Sequence, residues 1–367
     1  MMRNLTKILF ALLTFGVTCA AAADTLAERT LRYRQASDAS AAVAIGQETF
    51  LLADDENNVL RVYETDVQTA VPSPPVYYCD LNPFLDIEPE HPEADIEGAT
   101  KVGDRIYWIT SHGRNRDGKM RPNRYRFFAT KVTTANGSVT VTPIGVPYKR
   151  LVRDLISAPA MRSLRLDKVT RLDAGELSKK QRKKLAPKEQ GLNIEALCAS
   201  ADGKTIYIGF RNPRPSGKAL VVPLENADAV VQGAAACVFG RHILWDLAGL
   251  GIRSMEYSTF HNAYFLIAGP HDEKSKFALY RWSGRRDTQP VMVRRLAFSR
   301  SDFTPEAIIV FHDSPRFLLL SDDGSLPIKV SNKSECLEGE LNDDGTCPNK
   351  FLTDPDRKTF RATWLTP

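Results

Sequence analysis

Short apolar stretches separated by polar turns run the length of this chain, with the two-residue alternation of strands and few long helical periods. The most regular are Thr49-Phe50-Leu51-Leu52, Ile106-Tyr107-Trp108-Ile109, Thr205-Ile206-Tyr207-Ile208, Tyr264-Phe265-Leu266-Ile267 and Phe317-Leu318-Leu319-Leu320. Each follows, after a small turn, a phrase that starts polar and becomes apolar: Ser37-Asp38-Ala39-Ser40-Ala41, Asp95-Ile96-Glu97-Gly98-Ala99, Asn193-Ile194-Glu195-Ala196-Leu197, Ser254-Met255-Glu256-Tyr257-Ser258 and Thr304-Pro305-Glu306-Ala307-Ile308. From Ser40 to Glu97 is 57 residues, from Glu195 to Glu256 is 61, and from Glu256 to Glu306 is 50. The interval of 98 between Glu97 and Glu195 falls to 56 if the strand-free stretch 149–190 is an insertion. Hairpins repeated at this period predict an all-β fold, a β-propeller of five visible blades, and leave room for a sixth where the pattern weakens.

Within the first unit, Ala41 to Ile45, Phe50 to Ala53, Val59 to Tyr63 and Val76 to Tyr78 read as four short strands. In the third, Ala201-Asp202-Gly203-Lys204 is a hairpin turn, because Gly accepts positive φ and Asp caps its own turn backbone. The alternating Thr359-Phe360-Arg361-Ala362-Thr363-Trp364 supplies the outer strand of the last blade or pairs with Leu31-Arg32-Tyr33 to close the ring. Closure matters because an open ring would leave two bare sheet edges. In 149–190, Asp173-Ala174-Gly175-Glu176 has capping-box spacing, so a basic helix over Leu177 to Leu185 is expected, stopped by Pro187. That helix is either a solvated excursion on the rim or a lid or anion-binding arm over one face.

Residues 1–23 carry Arg3 and Lys7, an apolar run from Ile8 to Val17 and then Cys19-Ala20-Ala21-Ala22-Ala23, the layout of an export signal. The run is too short to span a bilayer, and no later segment reads as a span. The expected product is exported, periplasmic or extracellular, with 24–367 a single domain. Segment 149–190 holds 13 Lys and Arg against 5 Asp and Glu, so a basic insertion sits on a mildly acidic body. Five cysteines follow the signal, and export permits their pairing. Cys336 and Cys347 flank a polar, glycine-bearing loop and are the best candidates for a disulfide; Cys198 with Cys237 is a second option, leaving Cys79 free or buried. No Cys/His spacing suggests zinc.

The hairpin geometry places both polar sets at one end of the disc, around the axis. They include Asp38, Ser40, Asp95, Glu97, Glu195, Glu256 and Glu306, and then Asp54, Asp55, Ser111, His112, Arg211, Asn212, His271, Asp272, Asp322 and Asp323. Carboxylates converging on a narrow axis cannot all stay ionised without counter-charge. They share protons, pair with Arg211 and Arg253, or surround a hard cation, for which Ca²⁺ is suited. Glu97, Glu195, Glu256 and Glu306 are the candidate metal ligands; Arg211, Asn212 and Arg253 are the candidate ligand-binding residues. His112 and His271 are the face residues whose ordinary pKa suits general acid–base work. A purely architectural use of the repeated Glu, accepting backbone N–H groups or pairing with Arg, is the competing reading.

Gly191-Leu192-Asn193-Ile194-Glu195-Ala196-Leu197, Ile208-Gly209-Phe210-Arg211-Asn212-Pro213, Ala219-Leu220-Val221-Val222-Pro223-Leu224, Gly249-Leu250-Gly251-Ile252-Arg253-Ser254 and Leu279-Tyr280-Arg281-Trp282-Ser283-Gly284 resemble the bacterial family of domains of unknown function numbered 3616. The resemblance implies a propeller-like fold and supplies no reaction. More loosely, the blade openings resemble phytase-like esterase propellers and the gluconolactonase group, where a blade-opening Glu binds metal. Here Gly98 follows Glu97, but Ala196 follows Glu195 and Tyr257 follows Glu256, a departure from that pattern.

There is no Gly-x-Ser-x-Gly elbow, phosphate-cradling glycine loop or His-Glu-x-x-His. The aromatics alternate within strands, which argues against nucleic-acid binding. Two functions remain: a monomeric propeller binding a small-molecule or protein ligand, or a cation, through its acidic face, and a metal-dependent hydrolase of phosphoesters or lactones.

Overall fold

The computed structural model describes residues 29–65, 71–188, 190–270, 276–298 and 302–367. The export-signal segment, His271 and Asp272 lie outside them. Five four-stranded antiparallel sheets form the five blades of a β-propeller. Blade 1 comprises Ala41–Ala44, Thr49–Ala53, Val59–Glu64 and Tyr77–Asp80; blade 2, Ile96–Val102, Arg105–Thr110, Phe127–Ala135 and Ser138–Tyr148. Blade 3 comprises Asn193–Ala199, Ile206–Asn212, Ala219–Leu224 and Ile243–Trp245; blade 4, Gly251–Ser258, Ala263–Gly269, Phe277–Trp282 and Val291–Leu296.

Blade 5 is assembled from both ends of the chain. Pro305–Val310 and Phe317–Ser321 are its inner strands, Thr359–Leu365 its third and Thr30–Arg34 its outermost. The C-terminal strand belongs to the last blade as its third strand, not the outer one as one alternative had it, and it pairs with Leu31, Arg32 and Tyr33 as the other expected. The ring closes because the N-terminal strand covers the edge that Thr359–Leu365 would otherwise expose.

Strand alternation sends apolar residues to both faces of each blade, so the core is divided among the blade interfaces. One buried cluster fills each of the five: Phe50, Tyr63 and Phe360 join blades 1 and 5, Trp108 and Leu51 join 1 and 2, Ile109 and Phe210 join 2 and 3, Trp245 and Trp282 join 3 and 4, Phe265 and Phe317 join 4 and 5. Near the axis, small residues let the inner strands approach. A Cβ on Gly98 would meet the Leu197 backbone N at 3.0 Å.

Segment 149–190 is strand-free, as its sequence suggests, but its helices fall elsewhere than expected. The capping box is Ser178 with Gln181, opening the short helix Lys179–Lys183. Asp173 and Glu176 cap nothing, because Ser178 holds the extended geometry that an N-cap needs. The segment is also more than a solvated excursion: Leu151–Ser157 and Leu166–Thr170 are helices that bury Leu151, Val152, Leu155 and Leu166 against blades 2 and 3.

Cys336 and Cys347 form a disulfide in the excursion between the second and third strands of blade 5, beside a small cluster with Leu352. Cys198 and Cys237 are not joined; Cys198 is buried between blades 3 and 4, while Cys237 packs beside blades 2 and 3. Among the described residues no helix is long and apolar enough to cross a membrane.

Two outcomes follow from this packing. Tyr33 is fully buried on the closing strand, stacked on Phe360 at 4.9 Å, and its hydroxyl has no hydrogen-bond partner. Tyr33→Ala should cost about 3–5 kcal/mol in urea unfolding by opening a cavity at the closure. Tyr33→Phe should leave stability unchanged or raised, since it removes an unsatisfied polar group; a loss with Phe would mean the hydroxyl has a role in the native state. Peptide mapping without reduction should recover Cys336 linked to Cys347 and free thiols at Cys198 and Cys237. Reduction should lower the stability of the excursion by about 2–3 kcal/mol, the modest unfolded-state entropy that closing a short loop removes.

Candidate functional site

The innermost strands of four blades carry the same irregularity. In blade 2 the register shifts between Ile96 and Gly98, in blade 3 between Ile194 and Ala196, in blade 4 between Ile252 and Ser254, and in blade 5 between Pro305 and Ala307. Such a bulge leaves one residue without a partner across the ladder and re-aims its side chain. The bulged residues are Glu97, Glu195, Arg253 and Glu306. Blade 1 begins regular pairing at Ala41 with Ala53, so Ser40 holds the corresponding place. Its hydroxyl donates to the Ile96 carbonyl at 2.6 Å and ties blade 1 to the bulge of blade 2.

This register corrects the fourth repeat. Glu256 lies three residues beyond the bulge, opposite Phe265 in regular pairing, and does not join the axial carboxylates. Arg253 occupies the place that the sequence pattern gave to Glu256. Spacing alone aligned the wrong residue because the phrase was matched on Glu, and in blade 4 the axial side chain is the cation. Burial holds the Glu256 carboxyl well above its usual range.

The side chains of Glu97, Glu195 and Glu306 converge, each offering an oxygen within 4.8 Å of the others. Arg253 lies between two of them in blade order and bridges both. Its guanidinium reaches Glu195 at 3.1 Å and also contacts Glu306. Glu195 further accepts from Arg211 at 2.7 Å and from Asn193 at 2.6 Å. Asn212, paired across from Asn193, donates to the Pro187 carbonyl at 2.6 Å, so the end of the basic insertion is fastened beside the axial face. Burial opposes ionisation of Arg253, but Glu195 and Glu306 outweigh it and raise its pKa. Burial pushes Glu306 up to about 8, with Arg253 pulling the other way and Glu195 adding to the rise.

The acidic surface continues past this ion-paired group. Asp55, Asp95 and Glu97 form a second set with oxygens within 4.8 Å, and Asp38, Asp55 and Glu56 a third, so Glu97 and Asp55 link all three. Either set could hold a metal ion. Asp95 enters blade 2 in the left-handed region, which Asp tolerates, and pairs with Arg124 at 2.9 Å. Arg124 also contacts Glu93, whose carboxyl is pushed up to about 8 by burial and by Asp95. Lys350, delivered by the disulfide-linked excursion, pairs with Glu56 at 2.6 Å. Asp54 accepts from the backbone N–H groups of Ser37 and Glu56 and serves the turn.

Asp38, Asp55 and Glu97 differ from the rest. Asp38 and Glu97 are only 7% and 9% exposed. Among the described residues none of these three carboxylates has an ion-pair or hydrogen-bond partner, and Asp55 Oδ1 is buried without one. Burial first, and then neighbouring carboxylates, hold all three well above the usual carboxylate range: Asp322 acts on Asp38, Glu56 on Asp55, and Asp95 on Glu97.

His112 is fully buried, its ring edge-on to Tyr125 and its Nδ1 2.8 Å from the Thr110 carbonyl. Burial lowers its pKa to about 4. The residues that sequence reasoning passed over are Glu56, Glu93, Arg124 and Lys350. The first two neighbour residues already assigned to the polar face, whereas Arg124 and Lys350 come from loops whose path no repeat spacing describes.

Several solved structures are similar to this chain at low identity. The putative oxidoreductase (glucose dehydrogenase) from Thermus thermophilus is 10% identical, with 92% of this chain and 100% of that one covered and a TM-score of 0.40. The Cps50 (Swd1) β-propeller domain of Myceliophteria thermophila is 8% identical, covering 80% and 96% at a TM-score of 0.34. Kuenenia stuttgartiensis hydrazine synthase is 10% identical, covering 83% of this chain and 61% of that one, also at 0.34. No curated protein matches the sequence. A family model described as "Protein of unknown function (DUF3616)" matches residues 38–323, most of the chain and all five axial positions, and the protein belongs to that family.

Proposed function

We propose that this protein is a cation-binding propeller, with the ion held at the axis by Asp55, Asp95 and Glu97 and with Asp38 alongside. One observation carries the reading: buried carboxylates with no cation in contact stand next to a group that Arg253 and Arg211 already neutralise. Leaving several such charges unpaired is costly, so they take up protons or a cation. Oxygen ligands at about 2.3–2.6 Å from Ca²⁺ stand at most about 5 Å apart across the ion. The oxygens of Asp55, Asp95 and Glu97 lie close enough together to share one ion, and an all-carboxylate set suits a hard cation. Export, supported by the disulfide and the leader-like N-terminus, is part of the reading, since extracellular sites meet enough Ca²⁺ for affinities of about 10⁻⁴–10⁻³ M.

Arg211, Asn212 and Arg253 act in this reading as the internal frame of the site. Glu195 and Glu306 belong to that frame as well, and Glu256 has no part in it. Ligand binding on the axial face would use the cation as its anchor. Hydrolysis of a phosphoester or lactone would need a base beside the ion, and His112 is packed in the interior of blade 2.

Differential scanning calorimetry tests the assignment. Ca²⁺ should raise the melting temperature and a chelator should lower it, because an ion that binds only the native state stabilises it by mass action. Glu97→Gln and Asp55→Asn should abolish the response while leaving the fold as stable or more so. Glu195→Gln should instead cost about 3–5 kcal/mol by removing the buried carboxylate that Arg253 and Arg211 share, yet keep the Ca²⁺ response. A wild type indifferent to both Ca²⁺ and chelator would refute the cation reading.

The same experiment has a pH signature. Glu306 is raised to about 8, and Asp38, Asp55 and Glu97 are raised too, so the native state holds protons that the unfolded chain releases nearer pH 4. Their contribution is complete at acid pH and is lost as pH rises through the native values. In chelator, stability should therefore decline between about pH 5 and 8. Ca²⁺ competes with the protons on Asp55 and Glu97, so its stabilising increment should grow as pH rises. An increment that shrinks with pH would contradict carboxylate ligation.

A further inference from the structure

A cavity of about 230 Å³ lies between the loop that enters the third strand of blade 2 and the helical insertion. Its two walls differ in chemistry. Val152 and Leu172 from the insertion face Pro122 and the Tyr125 ring from blade 2, while Arg126, Lys149 and Arg153 contribute three cations against the single carboxylate of Glu88. Lys149 and Arg153 are exposed and pair with Asp86 and Asp173 in surface contacts of small energetic weight.

Arg126 is the unusual member. It is only 2% exposed, and its guanidinium donates solely to backbone carbonyls: Leu85 and Asp86 at 2.9 Å each, Pro122 at 2.8 Å and Tyr125 at 3.1 Å. These four bonds fix the side chain and leave one of its five N–H groups over. They solvate the charge without pairing it, and Asp86 and Glu88, which act on it from nearby, make no direct contact with the guanidinium, so it can still take a carboxylate partner. A carboxylate placed there would neutralise that charge and accept from the remaining N–H.

We propose that this cavity binds a small organic carboxylate, its head group on Arg126 and its apolar body against Val152, Leu172 and Tyr125. The size agrees: an apolar cavity of about 150 Å³ takes up benzene, so the present one accommodates a ring or short aliphatic chain together with a carboxylate. The insertion's first helices gain a purpose from this, since they form one wall of the site. The site is independent of the axial cation.

Isothermal titration of the full chain with benzoate, and with benzamide as the neutral isostere, tests it. Benzoate should bind saturably in the millimolar range, and benzamide at least about tenfold more weakly, the effect of losing one charge-assisted pair. Leu172→Trp, a substitution on the partly exposed wall, should fill the cavity and abolish binding with the melting temperature unchanged. Arg126→Met should also abolish it, and because that variant risks misfolding, Leu172→Trp is the deciding one. Chelator should alter none of these results. Absence of saturable benzoate binding, equal binding of benzamide, or wild-type binding by Leu172→Trp would each overturn the assignment.

Discussion

Charge at the axis of a closed ring constrains this protein more than any other interaction. Bringing several blades around one axis forces their bulged residues together, and three of those residues are glutamates. Arg253 makes the arrangement tenable on one side. It stands in blade 4 between Glu195 and Glu306, at the ring position where a further glutamate would have left four like charges in contact. A buried ion pair of this kind contributes little net stability, but removing either partner strands the other. On the other side Arg124 pairs with Asp95 and Lys350 with Glu56, and neither contacts Glu97, Asp55 or Asp38 directly. Burial and their carboxylate neighbours hold Glu97, Asp55 and Asp38 well above the usual carboxylate range.

The rest of the architecture serves that geometry. Five interface clusters distribute the core so that no blade can tilt without disturbing two of them, which holds the axial side chains in register. The ring itself depends on the N-terminal strand, whose aromatic contacts join the two chain ends across blade 5 and blade 1. Two excursions from the repeat then border the same face. One brings Pro187 to Asn212, and the other, clamped by its disulfide, brings Lys350 to Glu56. Additions that lie outside the repeat thus supply the variety that five similar hairpins cannot.

The sequence by itself determined the fold class, the number of clear repeats, the strand-free insertion and the disulfide, because each depends on local pattern: two-residue alternation, turn chemistry and a short loop between cysteines. It also carried Glu97, Glu195 and Glu306 to the axis, since equivalent strands present equivalent residues. What the tertiary structure decided were the positions where the count along the chain and the position around the axis diverge. A bulge shifts facing by one residue, so a match on residue type could place Glu256 where Arg253 belongs. The Ser178 cap, by contrast, is a local capping box with Gln181, and it displaced the expected Asp173 cap without help from packing, since that short helix buries none of its residues. Arg124 and Lys350 reach the site from loops, and loop paths are fixed by long-range contacts that leave no periodic trace. Whether a carboxylate at the axis is paired or bare depends on which cation arrives beside it, and that is a property of the closed ring.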